Sequence, residues 1–109
     1  MVGGRMSNFP FQQKKIGKNI LIRKFSKDIK SEELVWHRDR NERLVEVLSG
    51  NDWFFQMDND VPRKLTEGAS FRIPAEKYHR LIKGPGDLIL QINEKITEEK
   101  KMKLSKRDI

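Results

Sequence analysis

Short runs of alternating apolar and polar residues fill the middle of this chain, separated by turn-forming clusters. Asn19–Phe25 (NILIRKF) is rich enough in apolar and β-branched residues to predict a strand. Ser26–Glu33 is charged and reads as a connection or a short edge strand. Leu34–Asp39 (LVWHRD) predicts a second strand, with Val35, His37 and Asp39 on one face. Arg43–Leu48 alternates again and runs into turn residues at Ser49–Asp52. Trp53–Met57 is strongly apolar and stops at Asp58-Asn59-Asp60. Pro62–Leu65 is short, Thr66–Gly68 turns, and Ser70–Ile73 precedes a loop that opens at Pro74. Tyr78–Ile82, the turn Gly84-Pro85-Gly86, and Asp87–Asn93 with Leu88, Leu90 and Ile92 on one face complete the set. Many short strands without a long helical pattern indicate an all-β sandwich or barrel.

The two ends read differently. Residues 1–18 have only Phe9, Phe11 and Ile16 as apolar anchors and are expected to form a basic, loosely attached arm. Residues 94–109 are rich in Lys and Glu without a sustained apolar stripe, and a frayed helix or disordered tail is expected there. The barrel domain itself is assigned to residues 19–93, between flexible basic termini. Charge supports this division. Of the net +7, the first thirty residues hold eight basic side chains against one acidic, while residues 31–93 hold nine against eleven. The basic character therefore sits in the arms, and nucleic acid is not the expected partner.

A chain of 109 residues suits one domain. With no cysteine, thiolate metal sites, disulfides and cysteine nucleophiles are excluded. No apolar run approaches the ~20 residues that a membrane span requires. The first residues lack the apolar stretch of a signal peptide, so a cytoplasmic protein is expected.

Candidate chemistry centres on His37-x-Asp39 and His79. Residues two apart on a strand share a face, so His37 and Asp39 would point together. A histidine from another strand completes a two-histidine, one-carboxylate set that leaves open positions on a divalent metal such as Fe(II), Mn(II) or Zn(II). No phosphate loop, nucleotide fingerprint or nucleophile–histidine–acid order is present.

The spacing of two blocks resembles the paired motifs of the cupin superfamily. In the first, H-x-H, E and G of the family correspond to His37, Asp39, Arg43 and Gly50. In the second, Gly68, Pro74, Glu76, His79 and Lys83 fall where the family has G, P, G, H and N. The resemblance spans roughly Asn19 to Asn93. It implies a cupin-like double-stranded β-helix (jelly-roll) barrel, often with a metal inside it. Departures from the pattern reduce the implied ligand set to His37, Asp39 and His79, because a guanidinium at Arg43 cannot ligate a cation.

Two readings of this reduced site stand side by side. In one, the three groups bind a divalent metal, and Arg43 acts at the site by holding a small anionic molecule or orienting Asp39. In the other, Asp39 and Arg43 form a structural ion pair in a metal-free, non-catalytic binding or interaction module. Cupin activities are too diverse for the fold to choose between them.

Remaining features have plainer expectations. Trp53, Phe55 and Met57 share a face and read as barrel core. Glu76 reads as a solvated loop residue, with Tyr78 and Arg80 on the outer face beside His79. Trp36, Leu44 and Leu48 are placed outside, where they would support a homodimer. The arm cations, Arg23 among them, read as a solubilising charge run.

Overall fold

The computed structural model describes residues 11–95, which form eight strands in two antiparallel sheets. They are β1 (Gln12–Gly17), β2 (Ile20–Phe25), β3 (Glu42–Ser49), β4 (Phe54–Met57), β5 (Arg63–Lys64), β6 (Ser70–Ile73), β7 (His79–Ile82) and β8 (Leu88–Lys95). One sheet has the order β1-β2-β8-β3-β6 and the other the order β5-β4-β7. A single 3-10 turn, Ser31–Glu33, interrupts the long connection between β2 and β3.

The alternation seen in sequence is the alternation of the sheets. Val45 and Val47 of β3 face inward beside Leu90 and Ile92 of β8 and Phe25 of β2, all buried. Phe55 of β4 closes on them from the smaller sheet, and Trp53 just before it is fully buried. The Trp53 indole N–H donates to Gly86 O at 2.9 Å, so this fully buried side chain leaves no polar atom unpaired. Gly84 in the same turn is required for space. A Cβ there would lie 2.6 Å from the carbonyl oxygens of Asn51 and Asp52 and from the Trp53 ring.

Three expectations are corrected. The stretch expected as a loose arm carries strand β1, which pairs in register with β2 from Gln12↔Lys24 to Lys15↔Leu21. It is polar because it is the outermost described strand of its sheet. Residues 1–10 and 96–109, the rest of the arm and nearly all of the charged tail, lie outside the described residues. Next, Leu34–Asp39 is not a continuous strand; it touches a sheet through one isolated bridge, His37↔His79. With charged Arg38, Asp39 and Arg40 in succession, it has no apolar alternation to hold more of the ladder. Finally, β8 runs two residues beyond Asn93 and brings Glu94 into the sheet opposite Arg43.

The outer surface also divides differently. Leu44 and Leu48 are on the outer face of β3 in the five-stranded sheet. Trp36 instead lies against Arg80 of β7, its ring 4.7 Å from the guanidinium carbon, so it belongs to the other side of the barrel. Among the described residues, no helix is long and apolar enough to cross a membrane.

Candidate metal centre

Two backbone hydrogen bonds build the core of the site. His37 N–H donates to His79 O at 3.0 Å, and His79 N–H returns a bond to His37 O at 2.8 Å. Residues that exchange both bonds in an antiparallel bridge hold their side chains on the same side. The two imidazoles accordingly meet edge to face, with ring centroids 4.4 Å apart. Asp39, two residues beyond His37, follows to the same face, and its carbonyl accepts from Glu76 N–H at 2.7 Å. The three side chains come together, with one ligand atom from each lying within 4.8 Å of the others.

Hydrogen bonding leaves the right atoms bare. His37 Nδ1 donates to Val35 O at 3.0 Å and His79 Nδ1 donates to Lys77 O at 2.9 Å. A carbonyl can only accept, so each ring carries its proton on Nδ1 and, when neutral, keeps a lone pair on Nε2. Backbone carbonyls in this role are how ligating histidines are commonly oriented. Asp39 Oδ2 lies 3.2 Å from His79 Nε2 and 3.1 Å from Arg43 Nη1. Both contacts are within ion-pair range, yet neither has the direction of a hydrogen bond, and this buried oxygen is left without a hydrogen-bond partner. A carboxylate oxygen and an imidazole lone pair facing each other repel unless a cation stands between them. The donor set thus fits a divalent metal.

Asp39 is held in its charged form. Burial works against this, but a proton lying between Asp39 and His79 in the metal-free site, together with the charge of Arg43, outweighs it and keeps the carboxyl below its ordinary pKa. Exposure is graded across the set. His79 is 4% exposed, Asp39 partly buried and His37 exposed, so the site opens on the His37 side.

Arg43 is not facing an open cavity with its charge unspent. Its Nε and Nη2 donate to Glu94 Oε2 at 3.0 and 2.7 Å, and Nη1 approaches Asp39. Glu94 neutralises the guanidinium, which removes much of the repulsion a nearby dication would meet. Sequence reasoning missed Glu94 because it was assigned to the tail. The continued alternation of inward positions, Leu88, Leu90, Ile92 and Glu94, was the signal that could have found it.

A cavity of about 240 Å³ opens beside the histidines. Its walls are largely apolar, including Phe25, Val45, Phe55, Phe71, Leu90 and Ile92. Arg23 also lines it, a residue expected among the solubilising cations of the arm. Burial first, and then the like charge of Arg43, lower the Arg23 pKa to about 10. The two-residue spacing Leu21-Arg23-Phe25 on β2 was the available sign that Arg23 faces inward.

Other candidates take the plainer roles. Trp53 and Phe55 are core, although Phe55 also touches the site, its ring centroid 5.6 Å from that of His79. Glu76 is exposed, with Arg38 Nε 3.5 Å from its carboxylate. Lys83, where the family has asparagine, donates to Ile29 O at 2.8 Å and ties two loops together.

No protein-family model matches the sequence, and no curated protein matches it. Solved structures do match the fold. A cupin superfamily protein from Desulfitobacterium hafniense DCB-2 superposes with a TM-score of 0.61, covering 77% of this chain and 76% of its own, at 21% identity. The DMSP lyase DddQ from Ruegeria pomeroyi DSS-3 gives 0.62, with 81% of this chain, 48% of its own and 14% identity. Fe(II) HppE gives 0.54, with 68%, 41% and 18%. The chain spans less than half the length of these lyase and HppE chains. It has the cupin fold.

Proposed function

We propose that this protein is a metal-dependent cupin that binds a divalent cation through His37, Asp39 and His79 and takes a small anionic molecule into the adjacent cavity. The observation that carries the reading is the unsatisfied Asp39 Oδ2 beside the imidazole nitrogens that the backbone carbonyls leave bare. The likeness of the fold to an Fe(II) protein and to lyases supports it as analogy only. A divalent ion in such a set keeps coordination positions open and supplies Lewis-acid or oxygen-activating chemistry.

The chain's own residues divide the remaining work. Val35 O and Lys77 O fix the two rings in the ligating tautomer. Arg43, held from behind by Glu94, is a positioning residue that steadies Asp39. The aromatic and aliphatic walls exclude water from the ligand's body, and the exposed His37 side supplies the entrance.

Metal content is the test. Protein purified without a metal-affinity tag and incubated anaerobically with Fe(II), Mn(II) or Zn(II) is expected to retain near-stoichiometric metal by plasma mass spectrometry. His37→Ala and His79→Ala variants are expected to lose it. Absence of metal under all three conditions overturns the reading and leaves Asp39–Arg43 as a structural pair.

A further inference from the structure

Within the cavity, two inward-facing guanidiniums have opposite circumstances. Arg43 is met by Asp39 and Glu94. Arg23, among the described residues, makes one hydrogen bond, from Nε to Gln13 Oε1 at 2.8 Å, and no ion pair. Gln13 is its cross-strand partner on β1, and the Phe11 ring lies 3.9 Å from the guanidinium carbon. The group is therefore aimed as well as half-buried. Nε is spent on the glutamine, the flat face is spent on the phenylalanine, and the two terminal nitrogens remain. Glu33, the carboxylate at the cavity's rim, is exposed and makes no ion pair with it, and Asp39 and Glu94 act on it only from beyond ion-pair distance.

A partly desolvated guanidinium without an anion in contact is costly, and a fixed one is a prepared binding group. We propose that Arg23 is the carboxylate anchor of this site, taking a small organic acid end-on through its two terminal N–H groups while the acid's apolar body fills the cavity toward His37 and His79. Two parallel donors match the two oxygens of a carboxylate. A phosphoryl group would leave further charged oxygens against Phe25, Leu90 and Ile92, where nothing solvates them. Size sets the body. An apolar cavity of about 150 Å³ accepts benzene, so about 240 Å³ suits an aryl, cycloalkyl or branched aliphatic acid with a body of about six to eight heavy atoms.

The inference rests on the metal-centre reading only for which end of the acid meets the histidines. Binding is therefore measured on the full chain after chelator treatment, by isothermal titration. The probes are benzoate, cyclohexanecarboxylate and 4-methylpentanoate, each beside its neutral amide. At least one acid is expected to bind about tenfold or more tighter than its amide, and Arg23→Met to abolish that preference. Arg23→Lys keeps the charge without the fork and is expected to bind about threefold to tenfold more weakly than wild type. Equal binding of acids and amides overturns the proposal, as does failure of all three acids up to about 20 mM, a free energy too small for an anchored ion. Undiminished acid binding by Arg23→Met also overturns it. Should that variant not fold, Arg23→Lys decides, since wild-type affinity there excludes forked recognition. Protein that binds acid but retains no metal keeps Arg23 as the anchor and loses the metal-dependent function.

Discussion

Arg43 and Glu94 face each other across the β3–β8 ladder, and two guanidinium nitrogens converge on one carboxylate oxygen at 3.0 and 2.7 Å. The pair stands directly behind the proposed metal ligands. Glu94→Gln would leave the Arg43 charge facing the cation. Metal affinity is expected to fall by about tenfold or more, the usual scale for losing an outer partner. Competition with a calibrated chelator measures it. Unchanged affinity would show that the pair only braces the sheet.

Acid sensitivity follows from Asp39. Its folded pKa lies below the unfolded value of 3.8, so the unfolded chain binds the proton first. The stabilisation is complete above the unfolded value and disappears as pH falls through the folded one. Urea midpoints of metal-free protein between about pH 6 and 2.5 should therefore drop more steeply for wild type than for Asp39→Asn. Parallel curves would remove Asp39 as a source of acid lability.

Glu76 sits where the cupin pattern has glycine, and its φ is 61°, in the left-handed region. A side chain there costs about 1–2 kcal/mol that glycine avoids. Glu76→Gly is expected to be about 1 kcal/mol more stable than Glu76→Ala, after allowing for glycine's greater freedom when unfolded. Chemical denaturation of the two variants checks the order. Alanine equal to or above glycine would mean the loop relaxes.

Gly84→Ala has no such room. Its Cβ would press on two carbonyl oxygens and the Trp53 ring. A loss of about 2 kcal/mol is expected, with a change in Trp fluorescence as the indole shifts. Wild-type stability would show that the turn can move away from Trp53.

Leu44 and Leu48 remain exposed on the outer face of β3 and keep the homodimer proposal open to test. Light scattering should give twice the 12.9 kDa chain mass, and the double change Leu44→Glu, Leu48→Glu should return it to one. A monomeric wild type ends that proposal.

Much of the fold was legible because its signals are local. Alternation at Arg43–Leu48 and Asp87–Asn93, and the turns at Asp58–Asp60 and Gly84–Gly86, need no partner to be read. His37, Asp39 and His79 were legible from spacing, although the first two meet His79 through a single bridge and not a strand. What stayed hidden depends on neighbours. Gln12–Gly17 looks polar because an outermost strand buries little of itself. Arg23 and Glu94 looked like surface charges because nothing in their own residue type says which side of a sheet they occupy. Alternation with Leu21 and Phe25, and with Leu90 and Ile92, carried their inward direction, but their partners Gln13 and Arg43 come only from the register of the assembled sheet.

Among the described residues β1 is the outermost strand of its sheet, and that position bears on how molecules of this protein meet one another. Such a strand offers a row of backbone donors and acceptors that another sheet can extend. Here Lys14 and Lys15 sit on that row, both exposed. Two copies approaching rim to rim bring like charges together, a repulsion that ionic strength weakens. The surplus of positive charge near the amino terminus then has a colloidal consequence: molecules stay apart in dilute buffer and become prone to stack as salt is added.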